Sequence, residues 1–473
     1  MQLIGRKQEI DELKRLKTSN QAEFVAIYGR RRVGKTWLIR GFFRDKFTFY
    51  ATGIARGNRN EQLKNFYKSI CSYGKSKSKQ PKDWYEAFDL LKEVIKQSRQ
   101  RKKVVFLDEL PWMDTQKSEF LKAIDLFWNS WGCMQQNLLF IVCGSAASWM
   151  VKNIIQDKGG LHNRLTCHLH LNPFTLAETK SYLYSQGIRW NENLIAECYM
   201  IMGGIPYYLH LLDRSISLAQ NVDRLFFAPN ALLKDEFGTL YKSLFKKSDD
   251  YVKIISALSK KRNGFTRDDI VKATGLSNGG GLTRRLEELE QCSFICRYRT
   301  VRGKSPLYQL NDFYSLFYFQ FIDGQHLLDR DTWLHLQATP RHNTWLGLSF
   351  ERLCFAHVHA IHKALGINGI ATKTYPLLTP GAQMDMVIER ADKVVSLCEM
   401  KYTSKPYSIT KQEADKLRHR AEELGNCFPT QKQVLISLVS NRIPKKNTYY
   451  NSLITSNIII NKLFDECIIF GYN

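Results

Sequence analysis

Acidic residues are in short supply, 45 Asp and Glu against 69 Lys and Arg in 473 residues, which leaves a formal charge of +24 and a pI near 9.5. That imbalance favours a polyanionic partner, and nucleic acid is the default for such a chain. Paired cysteines are missing as well. The 11 cysteines include no CxxC, and Cys292 and Cys296 stand alone, so neither a zinc site nor a disulfide framework is expected and the thiols read as reduced. No apolar run is long enough for a bilayer: the longest, Leu138 to Val151, is broken by Gly144, Ser145 and Ser148. The opening Met1–Ile10 is charged too early for a secretory signal. Internal repeats and long low-complexity tracts are absent too. The expectation is a cytoplasmic, multidomain protein without a membrane segment.

What is present is sharper. Gly29-Arg30-Arg31-Arg32-Val33-Gly34-Lys35-Thr36 has the GxxxxGK[ST] spacing, directly after the apolar run Phe24–Tyr28 and directly before a helical pattern opening at Trp37. Backbone N–H groups of such a loop cradle phosphates, Lys35 reaches the β and γ oxygens, and Thr36 binds Mg²⁺. ATP is the expected ligand.

Lys103–Leu110 is a basic lead-in, four apolar residues and two adjacent acids, the pattern of a buried parallel strand ending at the ligand edge of a sheet. Asp108 is then the residue that holds Mg²⁺. Glu109 is placed to orient and deprotonate the attacking water, which points to hydrolysis rather than binding alone. A third apolar run, Leu138–Ser145, ends in a hydroxyl suited to sense the γ-phosphate or to cap a helix. Arg164 is the candidate for stabilising transition-state charge.

These motifs, together with Leu3–Ile10, Leu171-Asn-Pro-Phe-Thr175 and Met202-Gly-Gly-Ile-Pro-Tyr207, are collinear with those of the archaeal-type ATPases, a prokaryotic branch of the AAA+/STAND P-loop class, and the resemblance covers about residues 1–235. It implies a five-stranded parallel sheet and a small helical lid, with Gly5 and Arg6 near the adenine and Gly203 to Pro206 contributing from the lid. The family often has a second arginine where this chain has Leu165. Assembly into a homo-oligomer is expected if an arginine acts between subunits.

Beyond the ATPase, Tyr251–Lys260 reads as a helix, and Thr266 with Asp269 has the spacing of a capping box. Leu282, Leu286 and Leu289 mark the buried stripe of a third helix. Phe294–Thr300 and Pro306–Leu310 flank a basic tip at Arg302 and Lys304. The pattern predicts a winged helix-turn-helix, with Arg284, Arg285 and the tip as DNA contacts, opposed by Glu287, Glu288 and Glu290.

The last segment carries a second chemistry. Glu351 lies in a helical pattern, Asp385 on a strand pattern, and Glu399 and Lys401 two apart on the next, hence on one face. Asp385 and Glu399 are candidate Mg²⁺ ligands for phosphodiester hydrolysis, with Lys401 offsetting charge. The constellation resembles the PD-(D/E)xK nucleases without the Pro before the aspartate, and Glu351 takes the place of the helical acid. A surface ion pair is the plainer reading.

The expected architecture is therefore α/β: a parallel-sheet P-loop ATPase core (1–165), a helical lid (166–240), a winged helix-turn-helix (241–330) and a restriction-endonuclease-like domain (331–473). The expected function is an ATP-hydrolysing switch on nucleic acid, foremost DNA, that gates Mg²⁺-dependent cleavage. The rivals are an ATP-dependent DNA-bound regulator and a protein-assembly ATPase, each with an inert nuclease-like domain.

Overall fold

The computed structural model describes residues 3–74, 79–157, 159–161, 163–245, 247–261, 264–298, 306–324, 332–337, 339–428, 430 and 432–465. The basic tip Arg302 and Lys304 lies outside the described residues. The chain divides into two compact units, one of residues Met1–Asn172 with Gln291–Ser293, the other of Pro173–Glu290 with Phe294–Asn473.

The first unit is built on strands β1 (Glu23–Tyr28), β2 (Phe49–Thr52), β3 (Lys103–Asp108), β4 (Leu138–Gly144) and β5 (Cys167–His170), ordered β2-β3-β4-β1-β5 and parallel throughout. The central strands are nearly unbroken apolar sequence because helices cover both faces of such a sheet. On one face the helices Arg59–Tyr73, Trp84–Gln97 and Phe120–Ser130 bring Phe66, Trp84, Phe88 and Phe127 into a single aromatic core with Phe24 and Phe140 of the sheet. The core continues past the expected limit at residue 165, because β5 pairs with β1 at Val25↔Cys167. As an edge strand reading Cys-His-Leu-His and only half-buried, β5 has no apolar run to announce it.

The second unit opens with helices Leu176–Ser185 and Glu192–Met202. The first of these starts at a capping box of Thr175 and Glu178. Helices Ser248–Ser259, Arg267–Thr274 and Gly280–Gln291 follow, then the antiparallel pair β6 (Ile295–Tyr298) and β7 (Leu307–Leu310). Thr266 and Asp269 cap one another's backbone as the spacing predicts, and Leu282, Leu286 and Leu289 are buried.

The remainder is a helix, Pro340–Ala356, and a mixed sheet of β8 (Thr372–Leu378), β9 (Gln383–Arg390), β10 (Val394–Lys401), β11 (Gln433–Ser440) and β12 (Ile454–Ile459) in spatial order β12-β11-β10-β9-β8. The strands β8, β9 and β10 form an antiparallel meander. The crossover helix Lys411–Gly425 then returns the chain to pair β11 parallel to β10. Ala414, Leu417 and Leu424 of that helix are buried on Val387, Val395 and Leu397 of the sheet. Among the described residues no helix is long and apolar enough to cross a membrane.

Candidate functional site

Strand β1 delivers the chain to the phosphate loop, whose shape explains its glycines. Gly29 has φ +145°, and a Cβ there would lie 2.3 Å from the carbonyl oxygen of Leu171, so no larger residue fits. Gly34, with φ 90°, precedes the helix Lys35–Phe43 in a left-handed turn. Arg6 is buried and donates from Nη2 to the carbonyl of Val33 at 3.0 Å, tying the N-terminal segment to the loop. Gly5 beside it is left-handed, φ 68°. Arg30 is buried, Arg31 exposed and Arg32 half-buried with φ 73°. Trp37 in the first helical turn is half exposed.

Lys35 is buried, and its Nζ donates to the carbonyls of Gly29 and Arg30, both at 2.9 Å. A buried ammonium requires acceptors, and phosphate oxygens would be stronger ones than these carbonyls. One residue on, the Thr36 hydroxyl donates to Asp108 Oδ2 at 2.8 Å. Burial pushes the Asp108 carboxyl above the ordinary carboxylate value, against the Thr36 hydroxyl that donates to it. A group in that state gains from a nearby cation. The pair offers hard oxygen donors of the kind Mg²⁺ takes.

Glu109 follows Asp108 in the left-handed conformation, φ 48° and ψ 48°, a costly geometry for a non-glycine residue. Its carboxylate is held at the end of β4. The Ser145 hydroxyl donates to Oε1 at 2.5 Å, and the Ser145 backbone N–H to Oε2 at 3.2 Å. Ser145 therefore holds the candidate base, a role its position after an apolar run does not reveal. Arg164 is exposed. Sequence reasoning also missed His170, which stacks on Tyr28 at 4.7 Å. Burial, then the charge of Lys35, lowers its pKa to about 4, so it stays neutral.

Residues 3–212 match the family described as an ATPase domain predominantly from Archaea. The N-terminal part of this chain is an ATPase. An uncharacterized protein of Methanocaldococcus jannaschii, MJECL04, is 25% identical over 359 residues, 74% of this chain and 76% of that protein. An uncharacterized ATP-binding protein of the same organism, MJ0423, is 46% identical over 43 residues, 9% of this chain and 73% of its own. The Walker-type ATPase PABY2304 of Pyrococcus abyssi shares the fold, with a TM-score of 0.50 and 19% identity over 67% of this chain and 96% of that one. The ATPase match runs past Asn172 into the second unit, where Pro206 begins a short helix, Pro206–His210.

The C-terminal candidates come together only in part. Glu399 is buried at the end of β10, where one carboxylate oxygen meets Lys401 Nζ at 2.7 Å and the other accepts from the Arg420 guanidinium of the crossover helix. Burial alone would lower the Lys401 pKa, but the charge and hydrogen bond of Glu399 outweigh it and raise the value. Asp385 sits at an irregularity of β9 and accepts from the Met400 backbone N–H at 3.1 Å, capping β10 beyond the last ladder pair. Glu351, on the helix Pro340–Ala356, lines a narrow cleft with Asp385, Arg352 and Gln309. Among the described residues no three His, Cys, Asp or Glu side chains gather as a metal-binding group. With both Glu399 oxygens engaged by cations, this donor set does not fit a metal as it stands.

Arg420 was legible only as part of a basic helix. Its place three residues after buried Leu417 was the available signal. In the three-helix segment, Arg284 is exposed and lies 3.8 Å from Glu288, whereas Arg285 is engaged by Asp250 Oδ2 at 2.5 Å and is not free to contact DNA.

Proposed function

We propose that this chain is an ATP-driven switch on nucleic acid, foremost DNA. The observation that carries the proposal is the joining of an ATPase domain to a chain of net charge +24, since so large a basic excess is the electrostatic signature of a polyanion partner. Two features of the second unit support it. Three helices followed by an antiparallel pair are the elements of a winged helix-turn-helix, and exposed Arg284 lies on the third helix. The crossover helix Lys411–Gly425 exposes Lys411, Lys416 and Arg418, the last paired with Asp415, beside Glu422.

In the ATPase step, Lys35 would exchange loop carbonyls for phosphate oxygens, Thr36 and Asp108 would hold Mg²⁺, and Glu109, steadied by Ser145, would orient water and accept its proton. Bound Mg²⁺ supplies charge stabilisation at the phosphates. Gly5, Arg6 and Trp37 are assigned to the nucleotide's surroundings and Pro206 to the lid. Arg164, exposed, is assigned to transition-state charge, from within the subunit or from a second copy in a homo-oligomer.

A second reading is favoured by the meeting of Glu399 and Lys401, with Asp385 at the neighbouring strand end: nucleotide-gated cleavage of DNA, with Glu351 as the helical acid. It requires Glu399 to give up Arg420 before any metal is held. Supercoiled and single-stranded DNA incubated with Mg²⁺, with and without ATP, beside Lys401→Ala, tests both readings. Nicking lost in the variant and dependent on ATP supports the gated nuclease. ATP-dependent DNA affinity without nicking supports the switch alone. Absence of DNA binding in every nucleotide state overturns both.

A further inference from the structure

The end of the ATPase sheet away from the phosphate loop is not plain surface. The turns that precede β1, β3 and β4, and the turn after the helix Lys35–Phe43, enclose a trough of about 1210 Å³ in the first unit. Lys14, Lys17, Arg44, Lys46, Arg101 and Lys102 line it, and among the described residues no Asp or Glu does. Carboxylates stand beside it: Asp11 pairs with Lys14, Asp45 with Arg40, and the charge of Glu23 acts on Lys102. Lys102 is anchored by the carbonyls of Ser19 and Gln21, and Lys17 lies 5.7 Å above the Phe42 ring. Lys14, Lys17, Arg44, Lys46 and Arg101 are exposed. Arg44 and Asp45 both adopt left-handed backbone, φ 51° and 56°, a strained pair of the kind that persists where the surroundings over-determine it. Like charges at such density repel, and Asp11 at Lys14 and Glu23 near Lys102 offset only part of that charge.

We propose that this trough is a docking surface for a nucleic-acid backbone, about one strand length, roughly 20 Å, from the ATP site. Six cations are far more than a single phosphate requires, and they spread over several turns, as a repeating line of phosphates demands. Between them stand the amides of Asn20, Gln100, Gln136 and Asn137, donors suited to phosphate and sugar oxygens. The helix that begins at Lys35 ends at the trough, where Phe42 and Phe43 line it. One element thus touches both places. The proposal rests on the nucleic-acid reading above but assigns contact to the ATPase domain rather than to the basic helices of the second unit.

The test uses the full chain and fluorescence anisotropy with labelled duplex and single-stranded DNA over a salt series. Lys17→Glu, Arg44→Glu, Lys46→Glu and Arg101→Glu are combined in one variant. A second combines Lys64→Glu, Lys68→Glu, Lys96→Glu and Lys122→Glu, exposed residues elsewhere on the same unit with the same change of charge. The trough variant should bind at least tenfold more weakly, by about 1.4 kcal/mol. Its slope of log affinity against log salt should fall by about 3 to 4, at roughly 0.9 per lost phosphate contact. The second variant should stay near the parent, and DNA-free ATP turnover should be unchanged in both. Equal weakening of the two variants would reduce the effect to net charge and overturn the proposal. Parent-like binding by the trough variant would overturn it too while leaving the nucleic-acid reading intact. A parent that binds no DNA, or binds only anionic phosphatidylserine vesicles, would remove both.

Discussion

At the scale of the residue, the ATP site works through a few contacts whose loss is calculable. Lys35→Ala removes a buried side chain that donates to the loop carbonyls of Gly29 and Arg30, and turnover measured by phosphate release should drop at least about a hundredfold. Glu109→Gln keeps the size and the acceptor oxygen but loses the base. Hydrolysis should fall about 10² to 10⁴-fold while nucleotide affinity stays within a few-fold of the parent, and parent-like hydrolysis would show that the base lies elsewhere. Gly29→Ala should abolish nucleotide binding or fold stability, since its Cβ would sit 2.3 Å from a backbone oxygen that cannot yield. The spacing of the phosphate loop made Gly29, Lys35 and Thr36 legible before any fold was known, because the chemistry fixes those residue types. Ser145 holding Glu109, and His170 beside Tyr28, were not legible: both depend on which strands neighbour one another.

At the scale of the element, the His357 side chain joins two helices of the second unit. It accepts from the Leu176 backbone N–H at Nε2, 2.9 Å, while Nδ1 faces the Leu353 carbonyl at 2.9 Å, an arrangement that suits the neutral ring. Burial lowers its pKa to about 4 against about 6.5 in the unfolded chain. The folded state therefore binds fewer protons between those values, so this contribution is intact above pH 6.5 and lost as pH falls toward 4. Urea midpoints at pH 7 and pH 5 should show about 2 kcal/mol less acid sensitivity in His357→Gln than in the parent. An unchanged pH dependence would mean that the ring is not buried neutral. Elements with strong periodicity or caps, such as the helix starting after Thr266, followed from sequence. The strand Cys167–His170 did not, because a short, half-exposed edge strand lacks the apolar run that marks its neighbours. The meander end holding Asp385, Glu399 and Lys401 was anticipated as a set of residue types. The intrusion of Arg420 from the crossover helix was not, since helix rotation against a sheet is fixed by packing.

At the scale of the whole molecule, ATP binding and folding are linked. A nucleotide held only by the folded protein, at about a hundred times its Kd, should add about 2.7 kcal/mol to the stability of the cooperative transition that contains the site. Lys35→Ala should abolish that shift in a thermal melt, and an equal shift in the variant would place the nucleotide somewhere other than the phosphate loop. The left-handed backbone of Glu109 carries the matter further. An ordinary side chain is kept in a conformation that glycine or asparagine adopts more cheaply, so part of the protein's durability has been exchanged for the placement of one carboxylate. A lineage selected for heat resistance alone would drift toward Gly or Asn at 109 and become sturdier while losing turnover. Retention of the acid in a population under thermal challenge would then be a sign that hydrolysis itself is under selection.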